Sequence, residues 1–337
     1  MTMLATVLRE EVDEDAAPDA LDTVEMAGAV TESLEQCGWE TRQVLLGHDV
    51  RAFGSELART APDVAFNLVE SFAGQAVLAC VAPALCRASR IPCTGSDEGA
   101  LAAAADKALS RRVMAAAGIP APTGTSLAEL RRGCFPGPGT YIVKSRFEDA
   151  SLGLDDDCVV ETGDPAALLR TMEALAPRMG GDCVAERFVA GREFNLAILA
   201  GPDGAPRPLP LAEMVFDPAM PGPAILGYAA KWHVGSDVYA ASARSFALDG
   251  AAPAQAMIRA GLECWETFGL TGYARVDFRV SREGGVFVID VNPNPCIAPD
   301  SGFMAAARQA GLTHADVVGA IVEDALRRAR TGGSRRG

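Results

Sequence analysis

Positive charge is in short supply: 30 Lys and Arg stand against 44 Asp and Glu, a formal net charge of −14. That deficit argues against nucleic acid as a main partner, because gripping a phosphate backbone needs a basic face. It does not argue against a nucleotide, which needs only a local cluster of Lys, Arg and backbone N–H groups. Histidine is scarcer still, at His48, His233 and His314. No GxSxG accompanies them, so nucleophilic catalysis by Ser or Cys has little support. No apolar run approaches the roughly eighteen residues of a membrane span. The opening "MTMLATVLREEVDED" has neither a basic leader nor a cleavage site. The expectation is a cytoplasmic chain with no membrane partner.

The nine cysteines (Cys37, Cys80, Cys86, Cys93, Cys134, Cys158, Cys183, Cys264, Cys296) form no CxxC and no zinc-like spacing. An odd number scattered through apolar segments reads as reduced core cysteines rather than a metal or disulfide framework. Internal repeats and low-complexity blocks are also missing.

What is present is ordinary globular material: 337 residues, 49% hydrophobic and 22% charged, enough for two or three domains. The first hundred residues alternate. "MLATVLR", "ETRQVLL" and "APDVAFNLV" read as strands. "TVEMAGAVTESLEQCG" reads as a helix from the spacing of Val24, Ala27, Val30 and Leu34, ending at Gly38, and "AVLACVAPALCRA" as a second helix. Such alternation indicates a parallel α/β sheet. Beyond it, "LAAAADKALSRRVMAAAG" reads as one helix, "TYIVK", "CVVE" and "CVAERF" as strands, and "AQAMIRAGLECWETFG" as a helix. "THADVVGAIVEDALRRAR" is a closing helix with Thr313 as N-cap, and "TGGSRRG" a frayed tail.

Chemistry enters at "YARVDFRVSREGGVFVIDVNPNP". Two strand-like runs flank "SREGG", a turn with two glycines, and so form a hairpin. Alternation puts Arg275 and Asp277 on one face of the first strand, Asp290 and Asn292 on one face of the second. With the turn centred near Glu283 and Gly284, Asp277 faces Asp290 and Arg275 faces Asn292. Like charges directly opposite repel. Two carboxylates and an amide oxygen at one point suit a hard divalent cation, Mg²⁺ better than Zn²⁺. The bland reading is a solvated hairpin face whose acids never meet.

Further segments stand in a telling order before this hairpin: "DKALSRRVMAAAGIPAP", "YIVKSRFEDASLGL", "CVAERFVAGREFNLAILAG" and "YAAKW". Together they resemble the ATP-grasp superfamily, and within it the D-alanine–D-alanine ligase group. The likeness runs from the neighbourhood of Thr94 to the closing helix; the first third is similar in layout but not in motif. It implies an α/β chain, α+β in part, with an ATP-grasp fold behind an N-terminal Rossmann-like pre-ATP-grasp domain. The boundaries expected are 1–100, then 101–186 and 187–332 for the two ATP-grasp subdomains, with 333–337 a tail.

The resemblance also implies roles. Lys107 would contact the nucleotide's phosphates and Lys144 would lie on the strand beneath the nucleotide, while a loop carrying Glu148, Ser151 and Gly153 would close over the phosphates through its backbone N–H groups. Glu186 and the backbone from Arg187 to Val189 would read the adenine, and Glu193 the ribose. Lys231 matches a lysine on a mobile lid, and with Arg275 and Ser151 it makes up the catalytic set. Asp277, Asp290 and Asn292 fall on the magnesium ligands. The cofactors implied are ATP and Mg²⁺, two ions by the family's pattern, with Mn²⁺ as a substitute. The partners are amino-acid-like small molecules and a second copy in a homodimer, although no interface is readable.

Several positions depart from the group. Asp290 stands where Glu is usual, Cys296 where a glycine helps the oxyanion, and Ala150 where a serine helps place the first amino acid. The Gly-Gly motif with its ammonium-binding Glu is missing from the N-terminus. Asp22 and Glu70 are candidates for that ammonium, and Ser301 matches the serine that takes the acceptor's carboxylate. A thiol role for Cys296 stands beside that of a passive small residue. Three readings stay open: a D-Ala–D-Ala-type ligase working through an acyl phosphate, the same mechanism on another acyl or amine substrate, and a nucleotide-binding regulator without chemistry.

Overall fold

The computed structural model describes residues 2–12, 18–148, 152–217, 223, 225, 242–248 and 253–333. Strand β1 (Leu4–Glu10) pairs in parallel with β2 (Glu40–Leu46) on one side and β3 (Val64–Asn67) on the other. Parallel neighbours need crossovers, and helices α1 (Pro18–Gln36) and α2 (Val50–Thr60) supply them. The buried stripe of α1 is Thr23, Met26, Ala27, Val30, Ser33 and Leu34, while Val24 is 39% exposed. At 100° per residue, Met26 takes the inward place that the sequence reading gave to Val24. Helix α2 has only Phe53, Leu57 and Thr60 buried, too thin a stripe to declare itself. Asp49 fixes its start by accepting from the amides of Arg51 and Ala52.

The "AVLACVAPALCRA" helix opens as a 3₁₀ turn, Ala76–Cys80, and becomes α-helical only as α3 (Val81–Ala88). Pro83 sits in its first turn, where a missing N–H costs nothing. The segment expected as one helix is two, α4 (Glu98–Ala105) and α5 (Lys107–Ala117), because Asp106 is extended and caps α5 through the amides of Ala108 and Leu109. Arg146 grips both oxygens of Asp106 at 2.9 and 2.7 Å.

A second sheet contains β4 (Gly124–Ser126), β5 (Gly139–Ser145), β6 (Val159–Thr162) and β7 (Cys183–Arg187), in the order β4-β7-β5-β6 and antiparallel throughout. Helices α6 (Leu127–Arg131) and α7 (Pro165–Leu175) cover it, with Tyr141, Val143, Leu168 and Met172 at the core.

The third sheet is larger. It contains β8 (Gly191–Ala200), β9 (Pro206–Pro208), β10 (Ala212–Phe216), β11 (Ser242–Ser245), β12 (Tyr273–Ser281) and β13 (Val286–Asn292). The order is β11-β10-β8-β12-β13, with β9 beside β8. One face packs Phe194, Leu196, Ile198 and Phe278 against α8 (Ala254–Phe268). The other face changes character along its length. At Ala197, Leu199 and Tyr273 it is apolar and shares a core with α1, β1 and β3, and with α9 (Gly302–Gln309) and α10 (His314–Gly333). At Glu193, Asn195, Asp277 and Arg279 it is polar, and there the chain leaves open space.

Thr313 caps α10 as expected, exchanging bonds with Asp316. The helix runs through Gly333, so Thr331, Gly332 and Gly333 are helical rather than tail; residues 334–337 lie outside those described. Cys86, Cys158, Cys183 and Cys264 are buried as expected, but Cys37 and Cys134 are exposed. One follows the end of α1 and the other follows the turn at Arg132 and Gly133. None of the described helices is long and apolar enough to cross a membrane.

Candidate active site

The hairpin has the register that alternation requires: Arg275 opposite Asn292 and Asp277 opposite Asp290. Its turn is closed by the Ser281 amide on the Gly285 carbonyl, with Gly284 at φ +86°, a conformation that favours glycine. Ile289 is an extra residue, a bulge, between the Asp277–Asp290 pair and Phe278–Val288. On the other side of β12, Asp277 lies opposite Asn195 and Arg279 opposite Glu193. Seven polar side chains thus tile one face of three adjacent strands.

Asp277 is 9% exposed and well supplied. Arg275 reaches both of its oxygens at 2.8 and 2.9 Å, and Asn195 donates to Oδ1 at 2.7 Å. A buried carboxylate without such donors would cost several kcal/mol. Asp290 accepts from the Val291 amide, and Asn292 from the Asn294 amide, an Asx turn that swings the chain away at the prolines. Asn294 then ties this turn to the first sheet, donating to the Val69 carbonyl and accepting from the buried Tyr273 hydroxyl.

These residues form one wall of a cavity of about 1040 Å³ bordered by all three sheets. That is ample for a nucleotide together with small substrates. On the opposite wall, Lys144 of β5 pairs with Glu186 of β7 at 2.9 Å and donates to the Ile289 carbonyl, joining the second sheet to the third. Lys107 is the first residue of α5 because Asp106 breaks the helix there; its buried ammonium donates to the Glu148 carbonyl. Arg146 links Asp106 to Asp182, so helix start, strand end and following loop are fixed together. Arg187, Phe188, Val189 and Glu193 complete this end, with Ile142, Met214 and Ile289 as apolar lining.

The far end is acidic. Asp22 accepts from the Cys296 thiol at 3.1 Å, and Glu10, Glu70 and Ser301 line the same region. Burial, with the charges of Asp22 and Glu70, pushes the Cys296 thiol far above its usual range. Cys296 is not among the residues with positive φ, so replacing glycine there introduces no backbone strain. Glu10 accepts from the amides of Glu70 and Ser71 through Oε1, while its buried Oε2 has no hydrogen-bond partner among the described residues. Burial raises its carboxyl against the pull of those amides. Ser301 caps α9 by accepting from the Met304 amide.

The cavity therefore gathers Lys107, Lys144, Glu148, Glu186, Arg187, Val189, Glu193, Arg275, Asp277, Asp290 and Asn292, along with Asp22, Glu70, Cys296 and Ser301. Gly153 is not on its wall: at φ +66° it lies against the Arg178 carbonyl, 2.4 Å from where a Cβ would sit. Ala150, Ser151 and Lys231 lie outside the described residues. Glu148 also accepts from the Ala76 amide through its side chain. Sequence reasoning missed Glu10, Asn195, Arg279 and Asn294. Asn195 and Arg279 sit at alternate positions beside residues that were found, so strand period could have flagged them.

The family described as D-ala D-ala ligase C-terminus matches residues 141–323. A D-alanine–D-alanine ligase of Agrobacterium fabrum is 30% identical over 309 residues, 87% of this chain and 89% of that protein. An uncharacterized protein of Sinorhizobium fredii is 27% identical over 325 residues, 90% of this chain and 88% of that one. The solved D-alanine–D-alanine ligase from Bacillus anthracis complexed with ATP superposes with a TM-score of 0.74 at 18% identity, covering 98% of this chain and 100% of that one.

Proposed function

The chain belongs to the D-alanine–D-alanine ligase family, and from that premise, an ATP-grasp ligase that forms a peptide bond, we propose that it joins two small amino acids through an acyl phosphate. The carboxylate of the first substrate attacks the γ-phosphorus of ATP and releases ADP. The amine of the second then attacks the acyl carbon, and phosphate leaves with one oxygen of the original carboxylate. The observation that carries this reading is the register-matched set Arg275, Asp277, Asp290 and Asn292 on the wall of a cavity that also holds two lysines.

Phosphoryl transfer depends on alignment and charge neutralisation more than on covalent help. Lys107 and Lys144 supply positive charge, and Phe188, Ile142 and Met214 an apolar slot for the base. Asp277, Asp290 and Asn292 would hold Mg²⁺. They fit it by donor chemistry: two carboxylates and an amide oxygen, all hard, leaving room for phosphate oxygens and water. When bound, the ion neutralises phosphate charge and holds the reacting oxygens in line. Asp290 is shorter than the glutamate usual at this position, which weakens its reach to a second ion. Arg275, held on Asp277, faces the charge that develops at the acyl carbon in the second step. Ser301 and the N-terminus of α9 favour a carboxylate on the acceptor, hence an amino acid.

A second reading keeps the mechanism and changes the substrates. The far end of the cavity favours it: Glu10 and the Asp22–Cys296 pair stand where the family's Gly-Gly motif and oxyanion glycine are missing. Phosphate release from ATP, screened over D- and L-amino acids singly and in pairs, tests the proposal. Release that requires one particular pair supports it and identifies the substrates. No release with any pair, from a protein that binds ATP, contradicts it. A cytoplasmic homodimer belongs to the same reading, and light scattering would give the mass of two chains.

A further inference from the structure

We infer that Arg279 is a nucleotide-positioning residue that, with Glu193, forms the seat for the ribose hydroxyls; this rests on the proposed nucleotide site. Arg279 follows Asp277 on the same face of β12 and lies opposite Glu193 in the sheet. Its Nη2 is 2.9 Å from Glu193 Oε2, its Nη1 is 3.5 Å from the Gly191 carbonyl, and its Cζ lies 5.5 Å from the centre of the Phe188 ring. Both charged residues are buried, 5% and 8% exposed, and both line the cavity beside Phe188 and Met214.

A buried ion pair is a poor way to gain stability, since an apolar pair of similar volume would serve as well or better. This one lies between the metal-site carboxylates and the segment 186–189, where a nucleotide's ribose would bridge them. A vicinal diol can donate to a carboxylate and accept from a guanidinium, so the pair matches both of its capacities. Arg279 also holds the Glu193 carboxylate in place through that 2.9 Å contact. A purely structural role, pinning β8 to β12, would stabilise the sheet without distinguishing ribose from deoxyribose.

Calorimetric titration with ADP and with 2′-deoxyADP separates the two, using wild type, Arg279→Met and Arg279→Lys. Wild type should prefer ADP. Arg279→Met should bind ADP about 10- to 100-fold more weakly, the worth of a hydrogen bond to a charged group, and should lose most of the preference. Arg279→Lys should recover part of both. In turnover, the KM for ATP should rise while the KM for the amino acids holds. Arg279→Met that binds ADP like wild type, or that weakens both nucleotides equally, overturns the inference. If Arg279→Met fails to fold, the ADP preference of Glu193→Gln and Arg279→Lys decides: an unchanged ratio overturns it, a reduced one supports it. Wild type that binds neither nucleotide strikes the proposed function itself, a distinguishable failure.

Discussion

Asp290 carries its role through one carboxylate, and Asp290→Ala should leave secondary structure and Tm unchanged because the side chain is only half buried. ATP-dependent amide formation should fall by about 1,000-fold or more, several kcal/mol of lost charge stabilisation; near-wild-type turnover would refute the metal assignment. Cys296 makes the opposite case. Only a thiolate is a nucleophile, and burial with Asp22 and Glu70 holds this thiol protonated. Cys296→Ser should stay within about tenfold of wild type, whereas loss of a true nucleophile costs far more. At this scale the sequence was legible wherever a role follows from strand period and a glycine turn, as for Asp277, Asp290 and Asn292. It was silent where a role needs a neighbour from another segment. Glu10 meets the amides of Glu70 and Ser71 only because β1 and β3 end side by side.

Between elements, the break at Asp106 decides where Lys107 points. An Ala-rich run with one Asp reads as continuous helix, because Asp costs only about 0.7 kcal/mol inside one. What overrides that preference is Arg146, brought from the end of β5 to both Asp106 oxygens. Arg146→Ala should lower stability at neutral pH by about 1.5–3 kcal/mol, the range for hydrogen bonds to charged groups. The pH dependence has a definite sign. Burial raises the Asp106 carboxyl, but the Arg146 hydrogen bonds and the Leu109 and Ala108 amides outweigh it, so its pKa is lowered on folding. A depressed pKa stabilises above the unfolded value of about 4 and ceases to as pH falls through the folded one. Urea unfolding should therefore show a gap between wild type and Arg146→Ala that is full at neutral pH and shrinks below about pH 4. A gap that does not change with pH would contradict this account.

Across the whole molecule, the first and third sheets share one core, and α10 holds them together. Buried Asp324 takes Arg327 and Arg328, and Arg328 reaches on to the carbonyls of Cys93 and Gly95. Asp324→Ala removes the charged acceptor of two partly exposed guanidiniums and should cost about 1.5–3 kcal/mol in urea unfolding; a loss under about 1 kcal/mol would show the clamp to be dispensable. Parallel alternation, the hairpin and the Thr313 cap were readable in the chain because each is local. The meeting of three sheets around one cavity was reached by resemblance, since no local pattern encodes which faces are left unfilled. The fate of one oxygen atom decides for or against the acyl phosphate. With the amino-acid pair that releases phosphate, the acyl substrate is labelled with heavy oxygen in its carboxylate. One label should appear in the released phosphate for each peptide formed. Unlabelled phosphate, with all the label retained in the peptide and remaining acid, would contradict an acyl phosphate.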